Sequence, residues 1–295
     1  MSFDQRVQAL PHLGVGVSTE YGAFTAEGAL DLMLLLETHP QFAQFLEVGV
    51  EVTKGLDSDA QAWIRDGRPT TYHFLDVNLD DPRDIAEPWL SEVRAIVDAM
   101  KPAWMCGDAG LWHFGRRERG HMLLLPPILS EESAKEMAAG IVTLRDEIGL
   151  EVLPENPPGH VYVGDLHLLD FFGRVCELAD TGVLLDAAHL AIYQRVMGYD
   201  PLTGLDGFPL DRIVEVHVAG ASHLDVEGLS IIEDDHTVDV LPDTWEIMER
   251  VAPNAKNLRA VVFECERNSM DLCLPGFQRI SDLLGWGGTG TQGAI

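Results

Sequence analysis

Residues 182–189 read GVLLDAAH, a short apolar run that ends in an aspartate and is followed three residues later by a histidine. Such a run is typical of a strand buried in a parallel sheet. The chain has eight candidate strands of this kind, at residues 14–18, 45–50, 71–78, 103–106, 151–154, 182–186, 213–218 and 260–264. Eight parallel strands that alternate with helices close a TIM barrel. The sequence therefore predicts an α/β protein with a (β/α)8 barrel.

The segments between these strands have helical, amphipathic patterns. Predicted helices cover 26–38, 91–100, 131–148, 166–179 and 244–251, and Ser130 and Asp243 stand where N-caps are expected. The longest segments without a clear pattern, 107–129 and 188–210, are the predicted loops over the barrel mouth. We expect one domain over residues 1–285 and a flexible, glycine-rich tail over 286–295.

The composition excludes several classes of protein. Of 295 residues, 46% are hydrophobic and 23% charged, as in an ordinary globular protein. The net charge of -28 disfavours nucleic acid and anionic membranes as partners. No apolar run is long enough to span a bilayer and the N-terminus lacks a signal-peptide pattern, so we expect a soluble, cytoplasmic protein. The four cysteines form no CxxC pair and are expected to be reduced thiols.

Polar and ionisable residues recur in or just after the predicted strands, where an unpaired buried charge is costly. They are Glu47, Glu51, His73, Asp108, Glu155, Asn156, Asp186, His189, His217, Asp234, His236, Glu264 and Glu266. A single histidine in a strand is more often a hydrogen-bonded core residue than a ligand. The carboxyl ends of barrel strands converge on one mouth, however, so the set as a whole predicts one shared site.

Bound metal ions are the expected counter-charges for this site. Imidazoles with carboxylates suit iron, zinc or manganese, whereas a magnesium site usually has oxygen ligands only. The candidate ligands include no cysteine, which argues against a thiolate zinc site. They also outnumber the four to six ligands of one ion, so we expect two or three ions that share carboxylates. A polar mouth that binds a sugar or a phosphate without metal is the alternative.

The order of the polar residues resembles a known metal layout. The pairs Asp186-x-x-His189 and Asp234-x-His236, together with Glu155, His217 and Glu264, are similar to the trinuclear site of the xylose isomerase-like barrel superfamily, which includes endonuclease IV. Within it, the chain resembles the methanobactin-oxidase-like family of multinuclear non-haem iron-dependent oxidases over roughly residues 12–270. The segments that carry this resemblance are FLEVGVE, YHFLDVN, LPENPPGHVY, VLLDAAHLAIYQRVMGYDP, VEVHVAG, EDDHTVDVLPDTW and VVFECERN.

The resemblance implies a specific activity. Such a barrel holds two or three irons in a mixed Fe(II)/Fe(III) state and uses dioxygen to modify a residue, often cysteine, of a ribosomally made precursor peptide. A partner protein that recognises the peptide leader commonly works beside it. The implied ligands are His73, Glu155, Asp186, His217, Asp234, His236 and Glu264. Asn156 would be a ligand or an orienting neighbour, and Asp108 and His189 complete the predicted metal set.

The chain departs from this family pattern after the fourth strand. The usual Ser-Glu-His-Leu block reads CGDAGLWH here, so the family histidine is missing. Asp108 or His113 must replace it, or one iron is held more weakly. The family's Asp-x-x-Asn reads Asp186-x-x-His189, which is closer to the endonuclease pattern.

The remaining site predictions concern catalysis and substrate contact. Asp186, Glu264 and Glu266 are the predicted catalytic residues. Trp112, His113, Tyr193 and Arg195, in the two predicted mouth loops, are the predicted contacts to the peptide.

Two other activities occur on the same type of barrel. Phosphodiester hydrolysis at a trinuclear zinc site would account for His189, but it fits poorly with a charge of -28. Aldose–ketose isomerisation would want a lysine beside the metals, and Lys54 and Lys101 fall in predicted loop or helix-end positions. A relative that binds without catalysis is the fourth alternative.

Overall fold

Strands and helices alternate along the chain in the computed structural model, which describes residues 1–20, 28–115, 119 and 123–286. The strands are β1 Gly14–Glu20, β2 Leu46–Val50, β3 Thr70–Phe74, β4 Met105–Asp108, β5 Ile128–Leu129, β6 Val152–Glu155, β7 Val163–Gly164, β8 Val183–Asp186, β9 Ile213–Val226, β10 Leu229–Thr237 and β11 Ala260–Glu264. The helices are α1 Phe3–Val7, α2 Leu32–Thr38, α3 Ser58–Arg65, α4 Trp89–Met100, α5 Glu131–Ile148, α6 Leu168–Ala179, α7 Ala187–Met197, α8 Pro242–Val251 and α9 Met270–Leu284.

Eight of the strands form a closed parallel barrel. The ring runs β1-β2-β3-β4-β6-β8-β9-β11, and β11 pairs back with β1. The predicted (β/α)8 fold is therefore confirmed, and all eight predicted strands occur within a few residues of their expected bounds. The largest differences are that β3 ends at Phe74 rather than at residue 78, and that β9 continues to Val226.

The second half of β9 leaves the barrel. From Gly220 onward it pairs antiparallel with β10, and we call this two-stranded extension, residues 220–237, the ribbon. The sequence analysis missed it because short polar stretches with few apolar residues give no clear alternation. The ribbon extends over the carboxyl-terminal end of the barrel, where the site lies.

Two helix predictions are wrong. Residues 187–197 form α7 rather than part of a loop. Because α7 is buried at every position from Ala187 to Gln194, it has no polar face and hence no amphipathic pattern. Asp243 lies inside α8, and the N-cap of that helix is Leu241. Ser130 does cap α5, since its side chain accepts a hydrogen bond from the Ser133 amide at 3.2 Å.

Both ends of the described chain pack near the amino-terminal end of the barrel. Helix α1 closes the amino-terminal end of the barrel by burying Phe3 and Val7 against the strands. At the other terminus, Trp286 packs edge-on against His12 with the rings 4.4 Å apart. Residues 287–295, the rest of the predicted tail, lie outside the described residues, as do residues 26 and 27 of the first predicted helix. No helix among the described residues is long and apolar enough to span a membrane.

Strand alternation explains how the chain builds its site. Side chains two residues apart on a strand share a face, so a barrel strand can point one residue into the middle of the barrel and the residue two positions later toward the mouth. Strand β1 has Gly16 and Ser18 in these positions, and the other seven barrel strands have an ionisable outer residue. The pairs are Phe45 and Glu47, Thr71 and His73, Cys106 and Asp108, Leu153 and Glu155, Leu184 and Asp186, Glu215 and His217, and Val262 and Glu264. The outer member is ionisable in every pair, which is why the acids and imidazoles meet at one end.

Candidate metal centre

A cavity of about 210 Å³ opens at the barrel mouth and is lined mainly by these ionisable side chains. Seven residues of the predicted metal set line this cavity, namely His73, Asp108, Glu155, His189, Asp234, His236 and Glu264. Asp186 and His217 lie directly beneath and are completely buried. The structure therefore brings together the residues that the sequence analysis selected from separate strands.

His217 is the most informative of these residues. Neither ring nitrogen makes a hydrogen bond, although both are buried. Its Nε2 lies 3.1 Å from Glu47 Oε1, and its Nδ1 lies 3.3 Å from Glu264 Oε1 and 3.4 Å from Glu155 Oε1. Ligands at about 2.1 Å from one ion stand about 3.0–3.4 Å from each other, so these spacings suit donors that share cations.

The donor groups form a ring of overlapping sets. In each set the potential ligand atoms lie within 4.8 Å of one another, and all members are buried. The sets are Glu47, His73 and His217; His73, Asp108 and Glu155; Glu155, Asp186 and His189; and Asp186, His217 and Glu264. Each set shares a residue with the next. Two of the shared residues, Glu155 and Asp186, are carboxylates, the kind of ligand that can bridge two ions.

Helix α7 positions two of the donors. Asp186 caps the helix, because its Oδ1 accepts a hydrogen bond from the His189 amide at 2.6 Å. Its Oδ2 remains without a hydrogen bond and faces His189 Nε2 at 3.7 Å. His189 donates from Nδ1 to the Asn156 carbonyl at 2.9 Å, which fixes the ring and directs Nε2 into the site.

The Asn156 side chain, predicted as a ligand or an orienting neighbour, contacts the backbone of Asp186. Its amide nitrogen donates to the Asp186 carbonyl, and its amide oxygen accepts from the Asp186 amide, both at 2.9 Å. This pair of hydrogen bonds consumes the polar groups of the Asn156 side chain. It also fixes the strand end from which Asp186 points into the centre.

The ribbon supplies the last two donors. The pairing of β10 with β9 shifts between Asp234 and Thr237, and His236 adopts a left-handed backbone with φ of 54°. Such a bulge redirects side chains beside functional sites. Here it turns Asp234 and His236 toward the same centre: Asp234 Oδ2 lies 2.8 Å from His189 Nε2 and 3.7 Å from His236 Nε2.

Glu266 holds the His236 ring from behind. It lies 2.8 Å from His236 Nδ1 and is completely buried, and its other oxygen accepts a hydrogen bond from Ser18. A carboxylate behind an imidazole is the usual arrangement for a histidine ligand, because it fixes the tautomer and the ring plane. Glu266 is thus placed to position a ligand rather than to meet a substrate.

The imidazoles carry protons when no cation is bound. Burial lowers the pKa of His73, but Glu47 and Glu155 more than offset this, so that the pKa rises to about 9. Burial opposes the charge on the other three as well, yet surrounding carboxylates raise their pKa well above 6.5; these are His189, His217 and His236.

The carboxylates divide into two groups. Burial raises the pKa of Asp186 to about 8 and that of Asp108 well above its usual range. Burial acts the same way on Glu155 and Asp234, but neighbouring imidazoles lower the pKa of both. Without a cation, this acid-rich centre is therefore balanced by protons, which metal ions would have to displace.

Asp108 takes the position that the missing family histidine leaves open. It lies at the end of β4, in one donor set with His73 and Glu155, and its Oδ1 is buried without a hydrogen bond. His113 cannot take this position, because its Nε2 contacts Asp84 at 3.0 Å and its Nδ1 donates to the Gly115 carbonyl at 2.6 Å. Of the two candidates, Asp108 is therefore the one that lies beside His73 and Glu155.

Of the predicted substrate contacts, only Trp112 lines the cavity. Its indole donates to the Asp108 carbonyl at 3.0 Å. Tyr193 is buried under α6, where its hydroxyl accepts from the Leu168 amide at 3.2 Å. Arg195 pairs with Asp243 at 2.6 Å on the outer surface. Tyr193 and Arg195 do not reach the cavity because helix α7 replaces the predicted loop. His113 does not reach it because its ring is held by Asp84 and the Gly115 carbonyl.

Two residues at the site were not assigned by the sequence analysis. Glu47 was noted beside the second strand but was left out of the ligand set, although it contacts His217 and lines the cavity. Its position inside a strand, followed by apolar residues, made it look unlike a strand-end ligand. Arg267 lines the cavity at the end of the last strand, and no sequence pattern marked it.

Comparisons with known proteins place the chain among peptide-modifying enzymes. A family model described as "RiPP precursor modification enzyme MbnB/TglH/ChrH" matches residues 30–276. A UPF0276 protein of Rhizorhabdus wittichii is 27% identical over 214 residues, which are 71% of this chain and 75% of that protein. Two further UPF0276 relatives, from Caulobacter vibrioides and an Anaeromyxobacter species, are matched over 66% and 64% of their own length.

Solved structures are similar in fold. A xylose isomerase-like TIM barrel protein from Mycobacterium smegmatis, solved in complex with magnesium, aligns with a TM-score of 0.57 and 11% identity, and the match covers 94% of this chain and 97% of that one. A protein from Thermus thermophilus, soaked with ZnCl2, aligns with a TM-score of 0.52 and 20% identity over 93% of this chain and 99% of that one. The xylose isomerase-like barrel that the sequence predicted is thereby confirmed.

Proposed function

The chain belongs to the MbnB/TglH/ChrH family of RiPP precursor modification enzymes, and we propose that it is a multinuclear non-haem iron enzyme that uses dioxygen. Its substrate is a ribosomally synthesised precursor peptide, and cysteine is the residue whose modification we test first. We further propose a cytoplasmic location and a partner protein that binds the peptide leader.

The observation that carries the proposal is the buried His217. A buried imidazole that lies within 3.1–3.4 Å of three carboxylates needs positive charge between these groups, which either protons or metal cations can supply. The mixed nitrogen and oxygen donors favour iron, manganese or zinc over magnesium or calcium. The residues present therefore fit the cofactor that the family resemblance implies.

The proposed ligands are the members of the overlapping donor ring together with the ribbon residues. They are Glu47, His73, Asp108, Glu155, Asp186, His189, His217, Asp234, His236 and Glu264. When bound, irons supply redox chemistry with dioxygen and an open position for a substrate thiolate. Asn156 and Glu266 hold the ligands Asp186 and His236 in place.

The three predicted catalytic residues receive different roles. Glu264 lines the cavity and is the one of the three that can touch a substrate, and its Oε2 is free of hydrogen bonds. Asp186 acts from below, where its buried Oδ2 balances cationic charge. Glu266 is a positioning residue, because its contact to the centre passes through His236.

The size of the cavity supports a side chain as the reacting group. At about 210 Å³ it is smaller than the roughly 300–1,000 Å³ of pockets that enclose whole small ligands. One residue of a peptide can enter it while the rest of the peptide stays outside. Trp112, Leu124 and Pro158 give the entrance an apolar wall that excludes water around the inserted side chain.

The alternatives account for less of the site. Among the cavity-lining residues that the structure describes, Arg267 is the single arginine or lysine. A phosphodiester substrate would meet a mouth dominated by acids, and a sugar isomerase would lack the lysine that polarises its substrate. Neither alternative uses the apolar wall around Trp112.

The test uses the full chain and candidate precursor peptides, which are sought among short cysteine-containing reading frames next to its gene. The metal-depleted protein is loaded anaerobically with Fe(II), mixed with the peptide and exposed to dioxygen, and the peptide is followed by mass spectrometry. We expect a mass change on one residue that requires both iron and dioxygen. His217→Ala should abolish it, whereas His12→Ala, a histidine at the opposite end of the barrel, should leave it unchanged.

Three outcomes would overturn the proposal. The first is peptide modification that continues without dioxygen. The second is an active protein that carries stoichiometric zinc and no iron. The third is an unmodified peptide together with nicking of abasic-site DNA at low salt, which would favour the phosphodiesterase instead.

A further inference from the structure

A second set of polar groups lies deeper in the barrel than the mouth centre. Four barrel strands place an apolar residue at the inner position of their strand pair, namely Phe45, Leu153, Leu184 and Val262, and β3 places Thr71 there. Strands β4 and β9 instead place Cys106 and Glu215 there, and both are completely buried. With Glu47 above them, these residues form what we call the inner cluster.

Glu47 contacts both the mouth centre and the inner cluster. Its Oε1 faces His217 Nε2 at 3.1 Å, toward the mouth. Its Oε2 lies 3.1 Å from the Cys106 sulfur and 3.4 Å from the Thr71 hydroxyl, toward the interior. A carboxylate that presents one oxygen to each of two donor sets has the form of a bridging ligand.

Glu215 leaves one oxygen unused inside the barrel. Its Oε2 accepts a hydrogen bond from the Trp104 indole at 2.7 Å, which holds the carboxylate in place. Its Oε1 is buried and has no hydrogen-bond partner. The ligand atoms of Glu47, Cys106 and Glu215 lie within 4.8 Å of one another, so the unused oxygen belongs to a compact set of donors.

We propose that Glu47, Cys106 and Glu215 bind an additional thiophilic divalent cation inside the barrel, bridged to the mouth centre by Glu47. Binding displaces the thiol proton of Cys106, so that a sulfur–metal bond forms, a proton is released and no electron is transferred. Two carboxylates and a thiolate offset the charge of the ion in the buried interior. The thiolate favours zinc, ferrous iron or cobalt(II) over magnesium or calcium.

The sequence analysis selected no cysteine among the candidate ligands and argued against a thiolate zinc site. The sequence shows Cys106 as an isolated residue with no CxxC partner. Its partners come from β2 and β9, which are distant in sequence and meet Cys106 only because the barrel closes. The Trp104 indole, which fixes Glu215 from behind, matches the hydrogen bonds that commonly orient metal-binding carboxylates.

Cobalt(II) is the probe for the test, because a cobalt–thiolate bond absorbs in the near ultraviolet whereas carboxylate and imidazole ligands do not. The metal-depleted full chain is titrated with cobalt(II), and absorbance and bound metal are recorded. We expect the charge-transfer band in the wild type and its loss in Cys106→Ser. Cys176→Ser, a matched change in the equally buried cysteine of α6, should retain it.

A second variant tests the same site without removing the cysteine. Glu215→Gln keeps an oxygen for the Trp104 hydrogen bond but removes the charge, and should weaken binding of the inner cobalt at least tenfold while the mouth ions remain. Circular dichroism and urea unfolding confirm that each variant is folded. An absent band in the wild type overturns the proposal, and so does a band that Cys106→Ser leaves intact or that depends on Cys265 instead. Since no peptide is used, this result is independent of the proposed function.

Discussion

Replacing Glu266 measures how much the support behind a ligand contributes to metal binding. Glu266 Oε1 lies 2.8 Å from His236 Nδ1, and the carboxylate makes no contact that would require it to bind the metal itself. Loss of such a supporting partner typically costs about 10–100-fold in metal affinity. This corresponds to about 1.4–2.7 kcal/mol. We expect Glu266→Gln to fall at the lower end of this range and Glu266→Ala at the upper end.

Glutamine keeps the size of the side chain and one acceptor oxygen but loses the charge. Charge-assisted hydrogen bonds are about twice as strong as neutral ones. We therefore expect about tenfold weaker binding for Glu266→Gln, and about 100-fold for Glu266→Ala, which removes the acceptor altogether and frees the His236 ring.

The assay is a competition titration of the metal-depleted chain against a chelator of known affinity, under anaerobic conditions with Fe(II) and again with Zn(II). Glu177→Gln is the matched control, because its carboxylate pairs with Arg174 on the surface, away from the mouth. Wild-type affinity in both Glu266 variants would refute the positioning role. Wild-type affinity in Glu266→Gln together with a loss in Glu266→Ala would refute the part of the reasoning that depends on charge, and equal losses in the two variants would refute the contribution of the acceptor oxygen.

Three further predictions follow from other parts of the molecule. The pKa of His73 is raised from 6.5 to about 9, so protonated His73 stabilises the metal-free chain. This contribution to the free energy of unfolding is complete below pH 6.5 and is lost as the pH rises through 9. Urea titrations across this window should show the decline, and a rise in stability would contradict the prediction. In Gly220→Ala the new Cβ would stand 2.1 Å from the Thr237 carbonyl oxygen, so the ribbon must move. We expect the free energy of unfolding to fall by about 1–3 kcal/mol and metal binding to weaken, which unfolding and metal titrations would measure. Asn78→Ala removes the side-chain oxygen that accepts a hydrogen bond from the Trp112 amide at 2.7 Å. The buried amide is then unsatisfied, so the free energy of unfolding should fall by about 1–3 kcal/mol, and tryptophan fluorescence should change as a local readout.

The barrel and most of the donor set could be predicted because both depend on local pattern. Apolar runs identify the buried strands, and an ionisable residue at the end of such a run can only point toward the mouth. His73, Glu155, Asp186, His217 and Glu264 were all found in this way. Topology then brings them together without any further information from the sequence.

The remaining features depend on contacts that no local pattern records. Helix α7 was missed because it is buried on all sides, and with it the surroundings of Tyr193 and Arg195 were misjudged. The placement of His236 depends on a bulge in the ribbon. Glu47 and Cys106 acquire meaning only through residues of β9, which are more than a hundred positions away in sequence.

The ribbon gives the metal centre a property distinct from its affinity. Strand β10 lies at the end of the sheet and pairs with β9 on one side, whereas every barrel strand is held on both sides. Edge pairings of this kind open locally at a lower free energy than the closed ring. Each such opening would withdraw Asp234 and His236 from the centre while the donors on the barrel strands stay in place. Ions bound at the proposed centre would then exchange through the local opening of one hairpin, without unfolding of the barrel.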